Sequence, residues 1–184
     1  NTWLRALISA YYYSDDGFFL GDQNLQNIQQ FPVKKNLEGF NFDPRKPGDS
    51  ARYWIPAQEK LNMDKKVKFL KTHSALVKLG QNDFTNKKNT LGCIYIVRDP
   101  RNVIDSMSRH FQIDHDKALS VMQDENNFTY DFKKTDDYSD FQFISSWEKN
   151  YQSWKNNRLI PIKFLKYEDL LKETFFVFKE IIEF

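Results

Sequence analysis

The stretch "CIYIVRDPRNVIDSMSRHF", residues 93–111, decides how the chain is read. Cys93 to Val97 is a short, β-branched-rich apolar run with no polar alternation, the pattern of a strand buried on both faces of a parallel sheet. Arg98 stands where that strand ends. Asp99 can cap the next element, Pro100 suits its first turn, and Val103, Ile104, Met107 and Phe111 return at helical spacing. The spacing predicts strand, tight turn, helix. In open α/β sheets ligands bind at the carboxyl ends of strands, and the guanidinium groups of Arg98 and Arg101 at this junction point to an anionic ligand.

Outward from that junction, "WLRALISAYYY" (3–13) puts Leu4, Leu7, Ile8 and Tyr11 on one helical face. Residues 20–62 are rich in Asn and Gln and broken by Pro32, Pro44, Pro47 and Pro56, so they are expected as long loops with at most short helices. "VKFLKTH" (67–73) predicts a short strand ending in charged residues. Residues 112–138 form an acidic insertion with one helix near 115–124. "FISSWEKNYQSWKN" (143–156) lines up Ile144, Trp147, Tyr151 and Trp154 as a helical stripe suited to a core. "LIPIKFLKYEDLL" (159–171) is a second apolar run ending in a polar turn, and "TFFVFKEIIEF" (174–184) closes in a helical pattern. Strand and helix alternate, which indicates an α/β fold whose strands near 67–70, 92–97 and 160–165 are parallel neighbours.

A chain of 184 residues can bury one real core, so residues 1–184 are expected as a single domain, with 20–62 and 112–138 as variable loops or insertions. The net charge of +2 gives no global argument for nucleic acid or membrane as a partner. Charge is nevertheless uneven: residues 60–110 carry eleven Lys or Arg against four Asp or Glu, and residues 112–140 carry three against eight, which places a basic site beside an acidic flank. Cys93 is the only cysteine, so neither a disulfide framework nor a cysteine metal site can be built. With no signal peptide and no apolar run near the ~18 residues of a membrane span, the expected location is cytoplasmic. His110 and His115 lack metal-ligand spacing and read as structural or exposed.

Three strand ends thus carry "KTH" (71–73), "RDPRNVIDS" (98–106) and "KYEDL" (166–170). In that order they resemble the sulfotransferase family that uses 3'-phosphoadenosine 5'-phosphosulfate (PAPS), and the opening "NTWLRALI" resembles the end of that family's phosphosulfate loop. The ordered set is more specific than any one member, because each motif falls in the right element and sequence. The resemblance implies a P-loop-type three-layer fold, a central parallel sheet flanked by helices. The family's first strand, its loop lysine and its later Arg-Lys-Gly type segment would lie outside residues 1–184, so the chain is expected to be a fragment.

The resemblance also implies roles. Arg98 and Ser106 would read the 3'-phosphate, Thr2 the 5'-phosphosulfate, and Trp3 and Tyr167 the adenine. A guanidinium at a strand end and a hydroxyl on the following helix suit a phosphate. The bland alternatives are a salt bridge for Arg98, a helix cap for Thr2, and core packing for Trp3 and Tyr167. His73 would be the general base and Lys71 would stabilise charge on the leaving phosphate and the sulfuryl oxygens, against the alternative of a satisfied histidine at a strand end. No metal is implied. The acceptor would be a small molecule, lipid or saccharide, lined by aromatics in 40–54 and by the 112–138 insertion, and a homodimer is compatible with the family. Two rival functions are a small-molecule kinase, whose full Gly-x-x-x-x-Gly-Lys-Ser/Thr loop is not visible and whose magnesium ligand Asp99 could imitate although its place before Pro100 suits a cap better, and a non-catalytic nucleotide-binding module.

Overall fold

In the computed structural model, residues 2–19, 21–131, 133 and 136–184 are described. Expectations touching Asn1, Leu20, Phe132, Lys134 or Thr135, at the chain opening and within 20–62 and 112–138, lie outside the described residues. In chain order the elements begin with α1 (Thr2–Tyr13), α2 (Asp22–Leu25), α3 (Trp54–Leu61), β1 (Lys78–Leu79), β2 (Asn82–Asp83) and β3 (Cys93–Val97). They continue with α4 (Pro100–Phe111), α5 (His115–Gln123), β4 (Phe128–Thr129), β5 (Gln142–Phe143), α6 (Trp147–Lys155), β6 (Ile162–Lys166), α7 (Tyr167–Lys172) and α8 (Thr174–Ile182).

The 93–111 stretch folds as its residues dictate. β3 ends at Val97, Asp99 caps α4 by accepting a hydrogen bond from the Arg101 N–H, and Pro100 occupies the first turn, where its missing N–H costs nothing. β3 pairs in parallel with β6, in register from Cys93↔Ile162 to Val97↔Lys166. Because strand side chains alternate between faces, this register sorts the apolar residues into two clusters. Cys93, Tyr95, Ile162 and Phe164 pack with Trp54 and Ala57 of α3 and Trp154 of α6. Ile94, Ile96 and Leu165 pack with Leu4 and Ile8 of α1, Leu170 of α7 and Ile181 of α8. An apolar run without polar alternation is thus explained by helices on both faces, although the β3 side chains are half-buried rather than fully buried. The chain is therefore a mixed helix and strand fold with a parallel pair at its centre. β1–β2 and β4–β5 are short antiparallel pairs.

Three expectations need correction. Residues 67–70 do not form a strand beside β3. The backbone there makes only an isolated parallel bridge, Gln30↔Lys71, in which the Lys71 N–H donates to the Gln29 carbonyl and the Phe31 N–H to the Lys71 carbonyl, each at 2.8 Å. The reason is composition. Only Phe69 joins a core cluster, Val67 is 68% exposed, and Lys68 turns back to donate to the Leu61 carbonyl, so one inward side chain cannot hold a ladder. In α1, Tyr11 is exposed and the inner face is completed by the small residues Ala6 and Ser9, the latter donating to the Asn24 carbonyl. Ile144 lies outside α6, which starts at Trp147 after its Ser146 cap. Residues 20–62 do contain only short helices, yet they are central to packing: Phe31, Leu37, Ala51, Trp54 and Ala57 are all buried, and Phe40 stacks on Tyr53 at 4.8 Å.

Candidate functional site

The parallel register sets the first half of the site. Because Val97 and Lys166 are paired, the next residues, Arg98 and Tyr167, leave the sheet side by side, and the Arg98 guanidinium carbon lies 5.0 Å from the Tyr167 ring centroid. The Arg98 Nε is buried and has no hydrogen-bond partner among the described residues. An unmet buried polar group is costly, and Trp54 Nε1 and Arg5 Nε share this state; the Arg98 Nε differs in standing at a strand end, where a ligand can supply the acceptor. Arg101, by contrast, is committed. Its Nη2 pairs with Asp99 Oδ2 at 2.6 Å and its Nε donates to Oδ1 at 3.1 Å, which holds the Asp99 carboxyl below its usual range. The expected pair of guanidinium groups is therefore reduced to Arg98 alone.

Ser106 lies two turns into α4, half-buried, with no side-chain hydrogen bond among the described residues. Thr2 and Trp3 stand exposed in the first turn of α1. Trp3 is 46% exposed, so core packing does not account for it. Tyr167 is half-buried against Arg98.

The second half of the site is the segment 71–76. The His73 N–H donates to Gln142 Oε1 at 2.9 Å, and the Thr72 hydroxyl donates to the same oxygen at 3.3 Å. Asn150 Nδ2 donates to the His73 carbonyl at 3.1 Å, and Tyr95 of β3 donates its hydroxyl to Asn150 Oδ1 at 2.9 Å. Trp154 Nε1 donates to the Ser74 carbonyl, the Ala75 N–H to the Phe143 carbonyl, and the Leu76 N–H to Ser153 Oγ. Side chains of α6 and β5, with the Phe143 carbonyl, thus supply the partners that a sheet would have supplied. Sequence reasoning missed Gln142 and Asn150, which are 69 and 77 residues from His73 and belong to no local motif.

Electrostatics follow from the same packing. The His73 imidazole is pushed down to about 4, first by burial and then by the positive charges of Lys71 and Arg5. His73 is nonetheless an exposed residue on a cavity wall: protein packed around it disfavours the charged form while solvent still reaches it. The direction leaves it neutral, and able to accept a proton, at neutral pH. Lys71 is lowered from its ordinary value by burial first and then by Arg5. Arg5 was not singled out from the sequence. Its Nη2 donates to the Leu25 and Ile28 carbonyls at 2.7 and 2.8 Å, tying α1 to the segment that bridges Lys71.

Beside His73 lies a cavity of about 420 Å³ whose walls include Gln30, His110, Phe111, Tyr130 and Gln142. The aromatics of 40–54 do not line it. Trp54 is fully buried, and Phe40, Phe42 and Tyr53 pack against the core around it. The 112–138 segment does contribute a wall, through Thr129, Tyr130 and Asp131. His110 is exposed but faces this cavity, whereas His115 pairs with Asp105 at 3.1 Å. Burial pushes the Cys93 thiol up to about 12, which leaves it an unreactive core thiol. Among the described residues no cluster of His, Cys, Asp and Glu could hold a metal ion, and no helix is long and apolar enough to cross a membrane.

A parallel strand pair ending in an arginine whose Nε lacks a partner, with a lysine and a neutral histidine on another segment, suits transfer of an anionic group to an acceptor. The sequence agrees with that class: the family model of the sulfotransferase domain matches residues 2–184, and the chain belongs to this family, whose chemistry is sulfuryl transfer. No curated protein matches the chain.

Proposed function

We propose that the protein moves the sulfuryl group of PAPS to an acceptor hydroxyl or amine by in-line displacement, on a P-loop-type three-layer domain. The observation that carries this reading is the buried, unpartnered Arg98 Nε beside Tyr167 at the end of the parallel pair. In this reading Arg98 and Ser106 bind the 3'-phosphate, Thr2 binds the 5'-phosphosulfate at the start of α1, and Trp3 and Tyr167 contact the adenine. Free N–H groups and the dipole at a helix start favour an anion there. The donor supplies an activated sulfuryl group. The protein supplies position and charge: Lys71 faces the leaving phosphate, and neutral His73 takes the acceptor proton as its oxygen or nitrogen attacks sulfur.

The kinase alternative loses support because Asp99, its would-be magnesium ligand, caps α4 and pairs with Arg101. Incubating the protein with PAPS and a mixed acceptor library, with mass spectrometry of the products, tests the reading. Sulfated product with release of 3',5'-diphosphoadenosine is expected. A protein that binds the nucleotide but never transfers would be a binding module instead.

A further inference from the structure

We infer that Glu168 is a positioning residue for the anion site at Arg98: its carboxylate ties the start of α7 to the β3–α4 turn and so holds Arg98 open to a ligand. The inference rests on the sulfuryl-transfer reading above, which supplies that ligand, the 3'-phosphate of the donor.

The first support is the way pairing continues past the sheet. The β3–β6 ladder ends at Val97↔Lys166, and among the described residues no backbone hydrogen bond joins the two chains beyond it. Side chains carry the register on instead. The Arg98 guanidinium lies 5.0 Å from the Tyr167 ring centroid, and one residue further the Asp99 N–H donates to Glu168 Oε1 at 3.3 Å. Asn102 Nδ2, from the first turn of α4, reaches the same oxygen at 3.5 Å. The N–H of a capping residue lies outside the helical ladder, and in a capping box a glutamate or glutamine of the same helix accepts from it. Asn102 holds that place in α4, and Glu168 supplies the acceptor from the other junction. It thereby fixes the turn from which Arg98 departs.

The second support is charge. Two carboxylates stand next to Arg98, that of Asp99 along the chain and that of Glu168 across the junction, and either one, if free to turn, would take the guanidinium donors that an anionic ligand needs. Asp99 is committed to Arg101 and to the helix cap. Glu168 is committed to the turn: its carboxyl is held below its ordinary value first by its own backbone N–H, then by the Asp99 N–H and the Asn102 amide, and least by Arg98. Arg98 is thus left against Tyr167 with its Nε unpartnered.

Calorimetry with 3',5'-diphosphoadenosine and with adenosine 5'-phosphate, run on wild type, Glu168→Ala and Glu168→Gln, tests this role. Alanine frees the turn, so the preference for diphosphoadenosine over adenosine 5'-phosphate should fall about tenfold. Glutamine keeps an oxygen for the Asp99 N–H and should retain that preference within about threefold of wild type. A merely structural Glu168 would lower the Tm of the alanine variant without moving this ratio. An unchanged ratio in Glu168→Ala, or an equal loss in Glu168→Gln, overturns the positioning role and leaves sulfuryl transfer standing. Glu168→Asp, whose carboxylate stops one methylene short of the turn, serves if the alanine variant does not fold: a similar fall supports the role, and an unchanged ratio overturns it. Wild-type protein that binds neither nucleotide, or shows no preference between them, overturns the donor reading and this role with it.

Discussion

Replacing Gln142 with leucine tests whether His73 is held in place for chemistry. Gln142 is 1% exposed, and its Oε1 accepts hydrogen bonds from the His73 N–H and the Thr72 hydroxyl. Leucine has similar bulk but no acceptor, so both donors lose their partner. Two net hydrogen bonds are worth about 1–3 kcal/mol, and donors that stay buried and unmet add to this, giving a destabilisation of about 2–4 kcal/mol. For a chain of this size that corresponds to a fall in Tm of roughly 5–15 °C. The larger effect should be on turnover, because a catalytic group displaced by about 1 Å can cost 10²-fold. Gln142→Glu supplies the control. Its carboxylate can still accept from the His73 N–H, and its negative charge favours protonated imidazole, so the acid limb of kcat/KM should move to higher pH. The assay is kcat, KM and a pH profile at a temperature where both variants are folded, with diphosphoadenosine affinity measured separately. Gln142→Leu with kcat within twofold of wild type, or Gln142→Glu with an unmoved acid limb, refutes a positioning role and leaves Gln142 a packing residue.

Other outcomes follow from the same geometry. His73 is depressed below its ordinary value, so the neutral base persists as pH falls and kcat/KM should hold level through pH 6.5, declining only as the ring protonates toward about 4; an acid limb at or above 6.5 contradicts this environment. His73→Ala should lower turnover by about 10²- to 10⁴-fold while leaving diphosphoadenosine affinity within a few-fold of wild type. Trp54→Ala removes a fully buried ring at the centre of the first cluster and should cost about 3–5 kcal/mol in denaturant titrations; a loss under about 1 kcal/mol would show that the 20–62 segment is peripheral to the core.

The central strand, turn and helix were legible because their signals are local. A β-branched run, Asp-Pro at a cap and apolar residues at helical spacing each act within a few residues, and they gave β3 and α4 nearly to the residue. The pairing of β3 with β6 was legible too, since both runs needed two apolar faces. The 67–70 segment misled because Lys68 and the exposed apolar residues Val67 and Leu70 surround its single inward side chain, Phe69. The importance of 20–62 was hidden by its prolines, which mark turns correctly but say nothing about where Trp54 and Phe31 point. Gln142, Asn150 and Arg5 were out of reach for another reason. Their value lies in single hydrogen bonds to backbone atoms distant in sequence, and an amide or guanidinium on the chain carries no pattern that announces such a bond. His110 was set aside because it has no metal-ligand spacing, yet a cavity wall requires only position.

Calorimetry of wild type and Arg98→Ala with 3',5'-diphosphoadenosine and with adenosine 5'-phosphate tests the central claim most directly. If the Arg98 guanidinium, whose Nε is buried without a hydrogen-bond partner, reads the 3'-phosphate, the loss of a charged hydrogen bond of about 1.5–3 kcal/mol should weaken diphosphoadenosine roughly ten- to two-hundred-fold. Affinity for adenosine 5'-phosphate, which lacks that group, should change little. Equal weakening of both ligands, or wild-type protein that fails to distinguish them, would contradict the assignment of this strand end to the 3'-phosphate of the donor.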